Sequence, residues 1–456
     1  MQDQIQAAIR GSKADYTEIR IEKRESTTVA YRGRDLETAD AVTDAGGIVR
    51  CLCRNGGWGI ATFNDLHDLA AWVEQAYQCA RLAQSQEPIA LAPIPVSQDR
   101  LTVRLERDFR GVSMADKVAL ARIYNDILLG YSDLIVDTEC GYRDTFSRVL
   151  FANSEGTFME EERPLVTVSA LAIAREGNNV QTGIESRSVQ NGFDFAQGLE
   201  QLAHAAARRA VDLLHAETVT GGQYPVVLNP RLAGVFIHEA FGHLSESDFL
   251  YENPQAREMM VLGRRFGQDT LNVFEDGSLP GLRGTHKYDD EGTPTGRTDL
   301  IRNGILVGRL HSRETAAAMG EAPTGNARAL SYRYPPIVRM TNTAIEGGHT
   351  SFGEMIQDVK LGVYACDTFG GETQMESFAF GSRYAYMIRS GQIAEMIKDV
   401  VLAGNLFTTL MNLDAVGNDF EWSQSRGGCG KGGQDGLPVS TGAPHIRIQN
   451  VVIGGK

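Results

Sequence analysis

The sequence has no apolar run near the roughly 18 residues that a membrane-spanning helix needs. It also lacks any surplus of positive charge: 44 Lys and Arg against 58 Asp and Glu leave a formal net charge of -14. Proteins that work on phosphate backbones need a basic face to release counterions, so direct nucleic-acid binding is disfavoured as a main activity. Cysteine is sparse, with six residues scattered at 51, 53, 79, 140, 366 and 429. The N-terminal MQDQIQAAIRG has no apolar signal region. Together these point to a reducing, cytoplasmic setting. Internal repeats and long low-complexity tracts are missing too, which leaves no obvious disordered arm.

What is present is ordinary globular composition, 42% hydrophobic and 22% charged over 456 residues, enough for two or three domains. The expected class is α+β. An N-terminal domain over residues 1–220 carries a mixed sheet with helices; a C-terminal domain over 221–456 is mainly antiparallel β with inserted helices, one bearing a histidine motif. In the first domain the spacing predicts helices over 2–10, 65–84, 113–129 and 195–215. Ser113 with Asp116 resembles a capping box. In YTEIRIEK, Ile19 and Ile21 share one face and Glu18, Arg20 and Glu22 the other, the pattern of a half-buried strand. Val49, Cys51 and Cys53 share a face of the next strand; with no second cysteine pair nearby, this C-x-C reads as packed core. Residues 86–98, with Pro88, Pro93 and Pro95, form an extended connector. A β-meander is expected from Asp133 to Thr182, turning at 153–156 and 176–179. The Gly221-Gly222 break then marks the boundary near 220. In the second domain a further helix is predicted over 400–413.

The chemistry concentrates in VFIHEAFGHLSESDF, residues 235–249. Neutral imidazoles bind zinc-like ions and a neighbouring carboxylate can take a proton from water, so His238 and His243 are candidate ligands and Glu239 a candidate general base. The familiar zinc-protease spacing is H-E-x-x-H; here the histidines are five apart. At about 100° per residue, five steps leave the rings roughly 140° apart on an ideal α-helix. A shared ion therefore requires a π-bulge between them or a break at Gly242. Without an ion, the pair reads as ordinary hydrogen-bonded core or surface histidines. Glu246 and Asp248 are candidate partners for the ring nitrogens, or else a solvated helix end.

The glycine-rich SQSRGGCGKGGQDG segment offers a third donor, Cys429, which would complete a His/His/Cys set with one position open; the alternative is a buried free thiol. Lys431 could neutralise a developing oxyanion or an anionic substrate end, or stand as a surface lysine. The same glycines fit neither a dinucleotide fingerprint, since Asp435-Gly436-Leu437-Pro438 follows in place of a helix, nor a P-loop, since residue 425 is Ser and 432 is Gly.

HEAFGHLSESD resembles the HExxxH motif of the TldD/PmbA (TldE) family, the "modulators of DNA gyrase", and GGCGKGGQDGLPVSTGAPHIRI resembles that family's C-terminal signature. DDEGTPTGRTDLIRNGILVGRLHSRETAAAMG, PTGNARA and MTNTAIEGG look like family segments in the same order. The resemblance implies a metallopeptidase of unstructured peptides, of the catalytic TldD type. It makes His238, His243 and Cys429 ligands of one divalent ion, zinc or alternatively iron, with Glu239 as catalyst. It also implies a TldE-type partner subunit or a homodimer. Phe241 and the Leu244-Ser245 pair depart from the pattern at positions bearing on substrate preference. The alternative function is a non-catalytic regulatory protein with a structural metal; only three nameable ligands, where a closed structural site uses four, favour the peptidase.

Overall fold

The computed structural model describes residues 1–455 except Gln84, Gln86 and Met375, with Glu372, Thr373 and Gln374 described in backbone only. The ends expected at Gln84 for a helix and at Gln86 for the connector therefore lie outside the described residues. Architecture is α+β. Strands β1 (Tyr16–Arg32), β2 (Asp35–Cys53), β3 (Gly57–Phe63), β4 (Gln98–Leu101), β5 (Ile135–Asn153), β6 (Phe158–Glu176) and β7 (Asn179–Val189) form one seven-stranded sheet in the order β3-β2-β1-β5-β6-β4, with β7 also on β6. The long β5-β6-β7 meander turns where expected: Asn153 Oδ1 accepts from the N–H groups of Glu155 and Thr157, and Gly177 takes a φ of +60°.

One face of this sheet is covered by helices. Helices α1 (Gln2–Arg10) and α2 (Leu69–Leu82) close an apolar cluster around Ile19, Val49 and Cys51, so the C-x-C is packing, with all six cysteines free. Helices α3 (Met114–Gly130) and α4 (Glu200–Leu214) close a second cluster around Tyr124, Tyr142 and Ala206. Ser113 Oγ accepts from Asp116 N–H and so caps α3. The predicted start at 195 for the fourth helix is early by five residues: a 3-10 turn at Phe193–Ala196 comes first and the α-helix begins at Glu200.

The opposite face corrects the half-buried reading of β1. Glu18, Arg20 and Glu22 are only 4–6% exposed. They are buried because this face packs on the loop around residues 289–293: Arg20 pairs with Asp290 at 2.8 Å, and Arg50 bridges Glu18 at 2.8 Å and Glu291 at 3.1 Å. Buried charges are tolerable here because each has an opposite partner.

The remaining sheets lie within residues 217–454. Strands Leu361–Gln374, Gly222–Leu228, Ile446–Gly454, Val401–Asn405 and Ser377–Arg389 pair in that sequence, and the last pairs back to the first, closing a barrel-like circuit. Most of these pairings are antiparallel; Leu361–Gln374 joins Gly222–Leu228 in parallel. The helix expected over 400–413 is corrected: Val401–Asn405 is a strand, and helix begins only at Leu406, where the Asn405 side chain accepts from Thr408 N–H. The apolar run reads equally as helix or strand until that cap is recognised. No described helix is long and apolar enough to cross a membrane.

Candidate metal centre

Helix α5 (Pro230–Ile237) starts cleanly, with Asn229 accepting from Leu232 N–H and Pro230 in the first turn, where its missing donor costs nothing. It does not continue as an α-helix through the motif. Residues His238–Gly242 form a π turn in which His243 N–H donates to His238 C=O, and His243–Ser245 follow as a 3-10 turn. The widened turn stacks residues five apart, as the spacing demanded. The two imidazole centroids lie 5.2 Å apart with planes at 79°. Gly242 itself has ordinary helical backbone angles; a Cβ there would sit 2.1 Å from Met340 Sδ, so any side chain at this position requires Met340 to move.

Cys429 arrives from 186 residues away on a short hairpin, Cys429–Lys431 with Gln434–Leu437, turned by Gly432 and Gly433 at positive φ. Arg339, fully buried, clamps both strands of that hairpin by donating to the carbonyls of Cys429 at 2.6 Å and Gln434 at 3.1 Å. The thiol Sγ lies 3.4 Å from His243 Nε2, and one donor atom from each of His238, His243 and Cys429 falls within 4.8 Å of the others.

Electrostatics favour the ligating form of the thiol. Burial opposes ionisation of Cys429, but His238 and His243 outweigh it and bring the pKa down to about 5. Burial likewise opposes protonation of His243, yet Glu246 and the thiol push its pKa up to about 11. Glu246, 1% exposed, sits 2.9 Å from His243 Nδ1 and 3.0 Å from Lys431 Nζ. Its burial is overridden by Lys431 and His243, which hold its pKa down at about 2. His238 Nδ1 is buried without a hydrogen-bond partner among the described residues. One thiolate and two imidazoles, drawn together in a largely buried site, are a donor set that suits zinc, whose binding would displace the proton from His243.

Glu239 lies at the mouth, 28% exposed, with Oε2 3.8 Å from His243 Nε2. Among the described residues Asp248 pairs with no histidine: it meets Lys431 at 2.6 Å and accepts from Val338 N–H at 3.1 Å. Lys431 donates to Asp248, to Val338 C=O at 2.8 Å and to Glu246, so its donors are spent inside the protein rather than presented to a substrate. Phe241, packed on Phe266 at 5.5 Å, and Leu244 and Ser245 are all buried around the turn. Two residues went unnoticed in the sequence. Arg339 is one. Glu275, 1% exposed, is the other; it accepts from the hydroxyls of Thr341 and Thr343, each at 2.5 Å, and burial raises its pKa.

Sequence models of the three PmbA/TldA metallopeptidase domains match in order, domain 1 over residues 17–80, the central domain over 107–214 and the C-terminal domain over 221–455. The chain belongs to the TldD/PmbA family. A metalloprotease of Synechocystis sp. is 48% identical over 445 residues, spanning 97% of this chain and 96% of its own. A metalloprotease of Methanothermobacter thermautotrophicus is 34% identical over 449 residues, 97% of this chain and 96% of its own. A zinc metalloprotease TldD homolog of Saccharolobus solfataricus is 33% identical over 310 residues, 65% of this chain and 68% of its own. Among solved structures, a Thermotoga maritima protein named for modulation of DNA gyrase superposes with a TM-score of 0.81 at 19% identity, covering 99% of this chain and 100% of its own. TldE from Thermococcus kodakarensis gives 0.77 at 18%, covering 100% of both. The TldD/PmbA fold is thus shared well beyond recognisable sequence.

Proposed function

We propose that this chain is a metal-dependent peptidase acting on unstructured peptides, with His238, His243 and Cys429 holding one divalent ion, zinc by the chemistry of the donors, and Glu239 as general base. The convergence of three donors from two distant segments, with a carboxylate at the mouth, carries the reading. Bound there, the ion would supply Lewis acidity, lowering the pKa of a water and polarising a peptide carbonyl. Glu239 accepts the water's proton and returns it to the leaving amine, so the proton count closes without a covalent intermediate. Glu246 fixes the His243 ring through Nδ1, and Lys431 fixes Glu246. Arg339 holds the hairpin that presents the thiolate.

Three donors rather than four among the described residues favour a catalytic over a structural ion. We further read 1–220 and 221–456 as two domains, supported by their separate sheets, and a TldE-type subunit or a second copy as partner, supported by the fold shared with TldE. The test is Glu239→Gln: metal content should match wild type while cleavage of a disordered peptide is lost, with and without a TldE-type subunit. Retained turnover would remove Glu239 from its role. Wild type that binds metal but cleaves nothing in either setting would favour the regulatory alternative.

A further inference from the structure

Between the face of β1, β5 and β6 and the loops of the C-terminal half lies a cavity of about 810 Å3, within the roughly 300–1,000 Å3 range of small-ligand sites. In a chain of net charge -14, its wall carries seven arginines against three carboxylates. Two of those carboxylates are already engaged, Asp290 with Arg20 at 2.8 Å and Arg163 at 3.3 Å, and Glu22 with Arg24 at 2.7 Å. Arg143, Arg283, Arg328 and Arg426 have no carboxylate within 4.0 Å among the described residues.

Two of these are costly to leave unpaired. Arg328 is only 6% exposed and donates to neutral acceptors, the carbonyls of Met340 and Pro438. Arg283 donates to the carbonyl of Gly427, and its Nε is buried without a partner. Burial pulls the pKa of each down to about 10, the sign of a charge short of compensation. A planar anion offers two oxygens to a guanidinium fork, which suits a carboxylate. The location is equally pointed. Gly427 and Gly428, which lead into Cys429, line the wall, as does Leu437, the cross-strand partner of Cys429. His238, Glu239 and His243 do not line it, so the cavity lies beside the candidate metal centre and outside it.

We propose that this cavity is a carboxylate-binding subsite for the peptide, taking an acidic side chain or the C-terminal carboxylate; it rests on the peptidase reading above. The test is fluorescence anisotropy on the full Glu239→Gln chain, loaded with zinc, using one short labelled peptide in three forms. These are an Asp/Glu-containing peptide with a free C-terminus, its Asn/Gln counterpart, and its C-terminal amide. The first should bind about tenfold more tightly than a form lacking the recognised carboxylate, as for a charge-assisted pair. Arg143→Gln and Arg283→Gln should each shrink that ratio toward one, and Arg328→Gln should do the same where circular dichroism shows it folded. Loss of preference on amidation assigns the C-terminal carboxylate; loss on neutralising the side chains assigns an acidic residue; either sustains the subsite. Equal binding of all three forms, or a ratio unchanged in both Arg143→Gln and Arg283→Gln, overturns it. Cleavage by wild type with no preference among the three peptide forms would overturn the subsite alone, whereas carboxylate-selective binding by Glu239→Gln with no cleavage by wild type would overturn the peptidase reading alone.

Discussion

The backbone N–H of His243 donates to the carbonyl of His238, five residues back, and that single wide turn brings two imidazoles that an α-helix would splay by roughly 140° to a centroid separation of 5.2 Å. Everything proposed for the centre depends on this turn. It is held by Asn229 capping α5 on one side and by Ser245 and Ser247 tied to the Leu310 backbone on the other.

Gly242→Ala should disturb the turn without touching a donor atom. The new methyl meets Met340 Sδ, and overpacking of this kind costs about 1–3 kcal/mol. Urea denaturation should show that loss, and competition with a chelator should show weaker zinc binding. Adding Met340→Ala should recover part of the zinc affinity, since it removes the obstructing group.

Glu246→Gln removes the charge that orients His243 and leaves Lys431 with Asp248 and the Val338 carbonyl. Loss of an outer partner of a ligating histidine typically lowers metal affinity about 10–100-fold. Zinc titration against a competing chromophore measures it directly; unchanged affinity would make Glu246 a partner of Lys431 only.

Asp290 ties the N-terminal sheet to the C-terminal half. Burial raises its pKa, but Arg20 and Arg163 outweigh this and hold the carboxyl well below its usual range. A depressed folded-state pKa means stability that is present above the unfolded value, near 4, and is lost as pH falls below it. Asp290→Asn should therefore cost about 3 kcal/mol at neutral pH, by leaving the buried Arg20 guanidinium without a carboxylate, whereas Arg163 keeps Glu161. It should also lose less stability than wild type between roughly pH 5 and pH 2. Urea midpoints across that range decide it.

How much of this was legible in the sequence follows from the reach of each interaction. The meander and its turns are local, and so is the conflict between five-residue spacing and α-helical period; both could be seen in one window. The link from His243 to Cys429 spans 186 residues, and it was proposed from donor chemistry and family resemblance rather than from spacing. What escaped depends on distant faces meeting. Glu18, Arg20 and Glu22 alternate as an exposed strand face does, and only the arrival of Asp290 and Glu291 buries them. Arg339 and Glu275 carry no local signature, since the partners of these side chains lie 51 to 95 residues away. Lys431 looked free in a glycine-rich loop because the hairpin that turns it toward Glu246 and Asp248 is formed by backbone geometry at Gly432 and Gly433.

The most direct test of the account is the metal content of the purified, reconstituted protein beside His238→Ala and Cys429→Ala. The account predicts about one zinc per wild-type chain and loss of that zinc in both variants, the two segments forming one site. Metal-free wild type after reconstitution, or a Cys429→Ala chain that keeps its zinc, would contradict it.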